Sequence, residues 1–272
     1  MTGQFFLSLA AVVSLLPAGL LVLKRQGQGE ASGLFRGLLV VGVVGPFLVV
    51  SAQATGNWQT GLSSTLWVTV AAAMSLFFII SLITRGVWAQ SWRLAPLVSG
   101  YMAALGLLAM IWQQAPGQVL GAMAPAGWVQ VHIFVSVMTY ALATLAALAA
   151  LGAILQERAL KARRPTALTH TLPSVADCDG LQVRLLGLAE IILGLGLLTG
   201  MATQYMETGA ILVFEHKMVL SIATFALIGG LLFVHHRTGM RGRKAARVAL
   251  TAYLLLTLGY PGVKFVTDVV MG

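Results

Sequence analysis

Charge is scarce in this chain. Asp, Glu, Lys and Arg make up 9% of its 272 residues and 58% are hydrophobic, and a mean hydropathy of +0.89 excludes a water-soluble globular domain. Cysteine is nearly absent: Cys178 stands alone, so there is no internal disulfide and no CxxC pair for redox or zinc chemistry. Phosphate-binding glycine loops, nucleophile motifs and any polar stretch long enough for a soluble catalytic domain are missing too, so an enzyme is not expected. A net charge of +9 and a pI near 10.3 would point to nucleic acid in a soluble protein. Here the basic residues sit in short connections between apolar runs, where they act as topology signals and as contacts for anionic membrane lipid.

The apolar runs dominate what is present. A hydrocarbon core of about 30 Å needs roughly 20 residues at 1.5 Å each, and about eight spans approach that length: Phe5–Leu23, Gly33–Ala54, Ser64–Thr84, Leu94–Trp112, Gln130–Leu155, Val183–Ala202, Phe214–Val234 and Val248–Val266. The fold class predicted is therefore all-α, a single polytopic membrane domain over residues 1–272, since open strand edges are not satisfied in lipid. Basic clusters alternate along it. Lys24, Arg25 and Arg36; Arg85 and Arg93; Arg158, Lys161, Arg163, Arg164 and Arg184; and Arg237, Arg241, Arg243, Lys244 and Arg247 fall in every second connection. Gln53–Ser63, Gln113–Val129 and Gln204–Glu215 contain no Lys or Arg. The positive-inside rule puts the basic clusters in the cytoplasm and both termini on the outer side of the membrane. No basic residue precedes Phe5–Leu23 and Lys24-Arg25 follow it, the reverse of a signal peptide, so that run reads as a retained helix. Cys178 falls in the long connection Gln156–Gln182, assigned to the cytoplasm.

Chemistry has to come from the few polar groups within the spans, where they are costly. His132 opens the fifth span and His216 the seventh, so the loop parity sets both at the outer face. Two neutral imidazoles at one depth on separate helices suit axial ligation of haem iron; two interfacial residues bonded to loops or headgroups are the alternative. Ser136 and Tyr140 follow His132 at steps of four and share its helix face. Lys217, Lys264 and Asp268 lie near the outer face; Lys264 and Asp268 form an ion pair at i,i+4, or the two lysines meet the propionates of a haem. Glu190 follows Arg184 by six residues, about 9 Å deeper. A lone carboxylate there seeks a hydrogen bond to a neighbouring helix or stays protonated.

The segment His132-Ile-Phe-Val-Ser136-Val-Met-Thr-Tyr140-Ala resembles the histidine-bearing helix of the cytochrome c assembly superfamily, which includes the CcsA, CcmC and HemX proteins. Later blocks extend the likeness: Leu198-Thr-Gly200, Glu215-His216-Lys217, His235-His236-Arg237-Thr238-Gly239 and Tyr260-Pro-Gly-Val-Lys264. The chain is most similar to the small eight-helix YpjD-like branch, best over residues 129–268. The resemblance implies a b-type haem as cofactor, a role in cytochrome c-type biogenesis, and proteins of cytochrome maturation or haem synthesis as partners. It also implies that His235 or His236 corresponds to an intramembrane histidine of CcsA; plain interfacial residues beside Arg237 are the other reading.

Two features of that family are missing. CcsA-type exporters carry a tryptophan-rich outer loop, and Gly200–Lys217 contains no tryptophan. The family's outer histidine after the last helix is absent as well, which leaves His216 as the second outer ligand by topology. The expectation is a protein that binds, relays or senses haem. A membrane scaffold or regulator of tetrapyrrole synthesis, as in HemX-like relatives, and a proton-coupled transporter using Glu190 are the alternatives.

Overall fold

The computed structural model describes residues 2–27, 29, 31–54, 59–83, 85–113, 118–119, 126–209 and 216–266. Its elements are α1 (Thr2–Lys24), α2 (Gly33–Ala54), β1 (Gln59–Thr60), α3 (Leu62–Ser81), a 3-10 helix over Gly86–Leu94, α4 (Ala95–Ile111), β2 (Gln118–Val119), α5 (Ala126–Ala162), α6 (Ala167–Thr171), α7 (Val175–Thr208), α8 (His216–Thr238), α9 (Arg243–Thr257), a π-helical stretch Leu258–Gly262 and α10 (Val263–Phe265). Seven helices among the described residues are long and apolar enough to cross a membrane. The chain is an all-α, multi-pass membrane protein, and the apolar side chains that cover its outside, Phe6, Leu34, Phe47, Ile191 and Phe233 among them, face what lipid would fill.

The eighth predicted span, Val248–Val266, is broken. Pro261 lies in the π-helical stretch; it brings no N–H to the helical ladder and its ring crowds the preceding turn, so the α-helix gives way after Thr257. Two other helices exceed their predicted limits of Gln130–Leu155 and Val183–Ala202. At 37 residues, α5 is roughly 55 Å long and projects well past an apolar layer of about 30 Å. Its overhang is polar, with Lys161 paired to Glu157 one turn back. The turn after it needs the left-handed backbone of Arg163 and is followed by Pro165. Much of the predicted loop Gln156–Gln182 is thus helical. Cys178 lies in the first turn of α7, not in a loop, buried with its thiol toward the Pro173 carbonyl.

Small side chains decide which helix is central. Ala141, Ala143, Ala146, Ala147, Ala149, Ala150 and Ala153 of α5 are all buried, so neighbouring backbones approach closely, and α7 packs along α5 over much of its length. On the other side α3 supplies Trp67, Met74 and Phe77 to the same core.

The four basic clusters gather at one end of the bundle. Arg93 donates from Nε to the Thr171 carbonyl at 2.8 Å and from Nη2 to that of His170 at 2.9 Å. Gly27, with φ +65°, lies so close that a Cβ there would stand 2.8 Å from the same Arg93 Nε. The Gly242 N–H donates to Asp179 at 3.3 Å, tying α9 to α7, and Gln156 donates to the carbonyls of Thr169, Leu172 and Pro173. Two connections that lack Lys and Arg also meet: β1 and β2 pair antiparallel, Gln59 with Val119 and Thr60 with Gln118. Alternate connections therefore share a face, as the charge pattern requires.

Candidate functional site

A cavity of about 460 Å3 opens between α3, α5, α7, α8 and the end of α9, within the range of roughly 300–1,000 Å3 typical of small-ligand sites. Four of the polar residues singled out in the sequence line it together: His132, Ser136, Tyr140 and Lys217. The steps of four along α5 explain the first three. Hydroxyls of Ser64, Thr65 and Thr69 on α3, Thr203 on α7 and Ser221 on α8 join them, with Ile133, Val137, Leu193 and Leu197 as the apolar wall. Among the described lining residues none is Asp or Glu, and Lys217 brings a positive charge to the wall.

His132 is held by α7. Its Nδ1 lies 3.0 Å from the Thr199 hydroxyl, and that hydroxyl donates its one proton to the carbonyl of Leu195 at 2.9 Å or Gly196 at 3.1 Å. Towards His132 it is an acceptor. With the hydroxyl proton on a carbonyl, the tautomer that suits this contact carries its proton on Nδ1 and its lone pair on Nε2, the arrangement by which an outer hydrogen bond prepares a histidine for metal ligation. Gly200 supplies the seat: a Cβ there would meet His132 Cε1 at 3.0 Å, tighter than the ring accepts without shifting. Trp128 Nε1 donates to the Thr199 carbonyl at 3.3 Å, and the Thr203 hydroxyl donates to it at 2.9 Å, which steadies the support from both sides.

Beneath the cavity a chain of hydroxyls crosses three helices. Tyr140 bonds Thr257 at 3.0 Å, Tyr253 donates to Tyr140 at 3.4 Å, and Tyr101 and Tyr253 share a proton contact at 2.7 Å. Neither Tyr101 nor Tyr253 stands out in the sequence, because each is one aromatic residue in an apolar helix and only packing brings them together.

The remaining predicted residues lie elsewhere. His216 begins α8, exposed, and is not among the residues that line the cavity. His235 and His236 are about 30 Å farther along α8, at the basic end, where His235 Nδ1 lies 2.8 Å from the Met240 carbonyl and His236 Nδ1 lies 3.1 Å from that of Leu232. Lys264 belongs to α10, but its side chain and Asp268 lie outside the described part of the structure. Glu190 is away from the cavity: it presses on Gly229 of α8, where a Cβ would come within 2.9 Å of Oε1, and its buried Oε2 has no hydrogen-bond partner among the described residues.

A family model described as "Cytochrome C assembly protein" matches residues 37–271. The chain belongs to that family. A 28.8 kDa protein of Azospirillum brasilense, described as lying in a nifR3-like 5' region, is 52% identical over the full length of both chains. Protein HemX of Brevibacillus brevis is 24% identical over 87% of this chain and 86% of its own. Inner membrane protein YpjD of Escherichia coli is 28% identical over 66% of each. No solved structure gives a significant match. Membership supports a role in cytochrome c biogenesis and haem handling, and it extends the resemblance first carried by the His132 helix into the N-terminal half.

Proposed function

We propose that this protein is a haem-binding member of the cytochrome c assembly family in the bacterial inner membrane, holding a b-type haem through His132 in the cavity between α3, α5, α7 and α8. The observation that supports the reading is the contact of His132 Nδ1 with the Thr199 hydroxyl at 3.0 Å at the cavity wall, which suits the tautomer with its lone pair on Nε2. The donor set fits the group. A single imidazole holds iron when a macrocycle fills the equatorial positions, Lys217 answers a propionate, and the apolar wall takes the porphyrin. The cavity lies at the end of the bundle away from the basic clusters, so with those clusters in the cytoplasm it opens towards the outer leaflet.

The protein acts on haem by binding and relay, without catalysis, and its partners are proteins of cytochrome maturation or haem synthesis. Bound haem would contribute an iron centre ligated from α5; the chain's own part is to orient the imidazole, neutralise a carboxylate and shield the ring from water. The test is an absorption spectrum of the full chain purified in detergent and supplied with haemin. A stoichiometric haem band that disappears in His132→Ala supports the proposal. Wild-type protein that takes up no haem would overturn it and leave a membrane scaffold or regulator of tetrapyrrole synthesis as the better reading.

A further inference from the structure

The proposed site leaves the second iron ligand open, and the cavity wall narrows the choice. We infer that Met218 supplies it, in place of His216. The inference rests on the haem reading above.

Three of the described lining residues carry neutral donors that ligate iron well: His132, Met201 and Met218. The His132 ring is seated on α7 at Thr199 and Gly200. Met201 follows Gly200 on that same helix and shares its wall, whereas Met218 is brought by a separate helix, α8. Ligands on the two faces of one macrocycle must come from different walls. Helix phase on α8 points the same way: Lys217, Met218 and Ser221 line the cavity, while His216, Val219 and Leu220 do not.

Chemistry favours the thioether as well. It is neutral at every pH, so no proton competes for the sulfur and no charge is desolvated when it enters an apolar wall. Three rotatable bonds let it adjust its reach. Lys217 would first have to surrender the proton that makes it a partner for a propionate. A histidine–methionine pair also raises the potential of the iron above that of a bis-histidine pair, so the site favours ferrous haem.

The experiment uses the full-length protein loaded with haemin, read by ferric and ferrous absorption spectra and by potentiometric titration. Wild type should be six-coordinate and low-spin, with the far-red sulfur-to-iron band of the ferric state. Met218→Leu, a volume-conserving change, should lose that band and become high-spin while keeping its haem. Met218→His should restore a low-spin spectrum at a lower midpoint potential, which guards against a merely unfolded leucine variant. His216→Ala should leave spectrum and potential unchanged, and Met201→Leu should keep the low-spin state and the far-red band. A high-spin wild type, a Met218→Leu spectrum identical to wild type, or loss of the low-spin state in His216→Ala or Met201→Leu would each overturn the assignment with the haem reading intact. Absence of haem from wild type, or an unaltered spectrum in His132→Ala, would instead strike at that reading.

Discussion

Replacing Thr199 by valine isolates the contact that orients His132. The side chains are nearly isosteric, so packing is retained while the hydroxyl that accepts from Nδ1 at 3.0 Å is removed. Two consequences follow. The half-buried imidazole loses the hydroxyl that meets Nδ1, at a cost to the fold of about 1–3 kcal/mol, and the ring has less preference for the tautomer that presents Nε2. Loss of an outer-shell partner of a ligating histidine typically lowers metal affinity by about 10–100-fold, which is about 1.4–2.8 kcal/mol at 1.4 kcal/mol per tenfold. The first cost falls on the free and the loaded protein alike, so the second sets the expectation: haem affinity should fall by one to two orders of magnitude. The bond that Thr199 donates along its own helix is dispensable, because the Leu195 carbonyl is within a helix that persists without it. The assay is a haemin titration of purified protein followed by absorbance, with thermal unfolding as a control for folding. Thr199→Ser keeps the hydroxyl and should bind within a few-fold of wild type. If Thr199→Val binds as tightly as wild type, or if serine is as damaging as valine, the hydroxyl does not orient the ring and the reasoning fails.

Lys217→Ala should weaken haem retention while leaving the spin state unchanged, because neutralising a propionate acts on binding and not on the axial field; dialysis against apomyoglobin followed by spectroscopy measures both. Glu190→Gln should express and fold like wild type, since an amide preserves the fit against Gly229 and removes an ionisable group from the membrane; loss of cytochrome maturation at normal membrane levels would revive a proton-linked role. Enlarging Gly200 to alanine forces the His132 ring to move from a 3.0 Å contact and should reduce haem affinity without lowering expression, as a parallel titration and immunoblot would show. A reporter fused after Gly272 should be active outside, and one inserted after Arg164 should be active in the cytoplasm; the reverse pattern would remove the outward-facing cavity.

Hydropathy and charge together made the membrane class legible before any coordinates. An apolar run long enough to span lipid has few other stable forms, and Lys and Arg are too costly to leave within it, so both signals are local and survive in one dimension. His132, Ser136 and Tyr140 were readable for the same reason: their shared face follows from spacing on one helix. Helix limits were less so. The polar overhang of α5 past Leu155 looks like a loop to a hydropathy scale, and the structure shows that a helix can continue into water on i,i+4 pairs such as Glu157–Lys161.

What the sequence by itself determined is an all-helical membrane protein with its basic ends gathered on one side and a polar stripe descending from His132. Which residues complete that stripe was decided only by tertiary packing. Thr199 meets His132, and Gly200, Met218 and the α3 hydroxyls reach the cavity, from helices remote in sequence, and His216 shares an end of the bundle with His132 yet turns out of the lining by the phase of α8. Depth is set by distance along one helix and can be counted from residue numbers; azimuth is set by which neighbours each helix packs against, and no single helix contains that information.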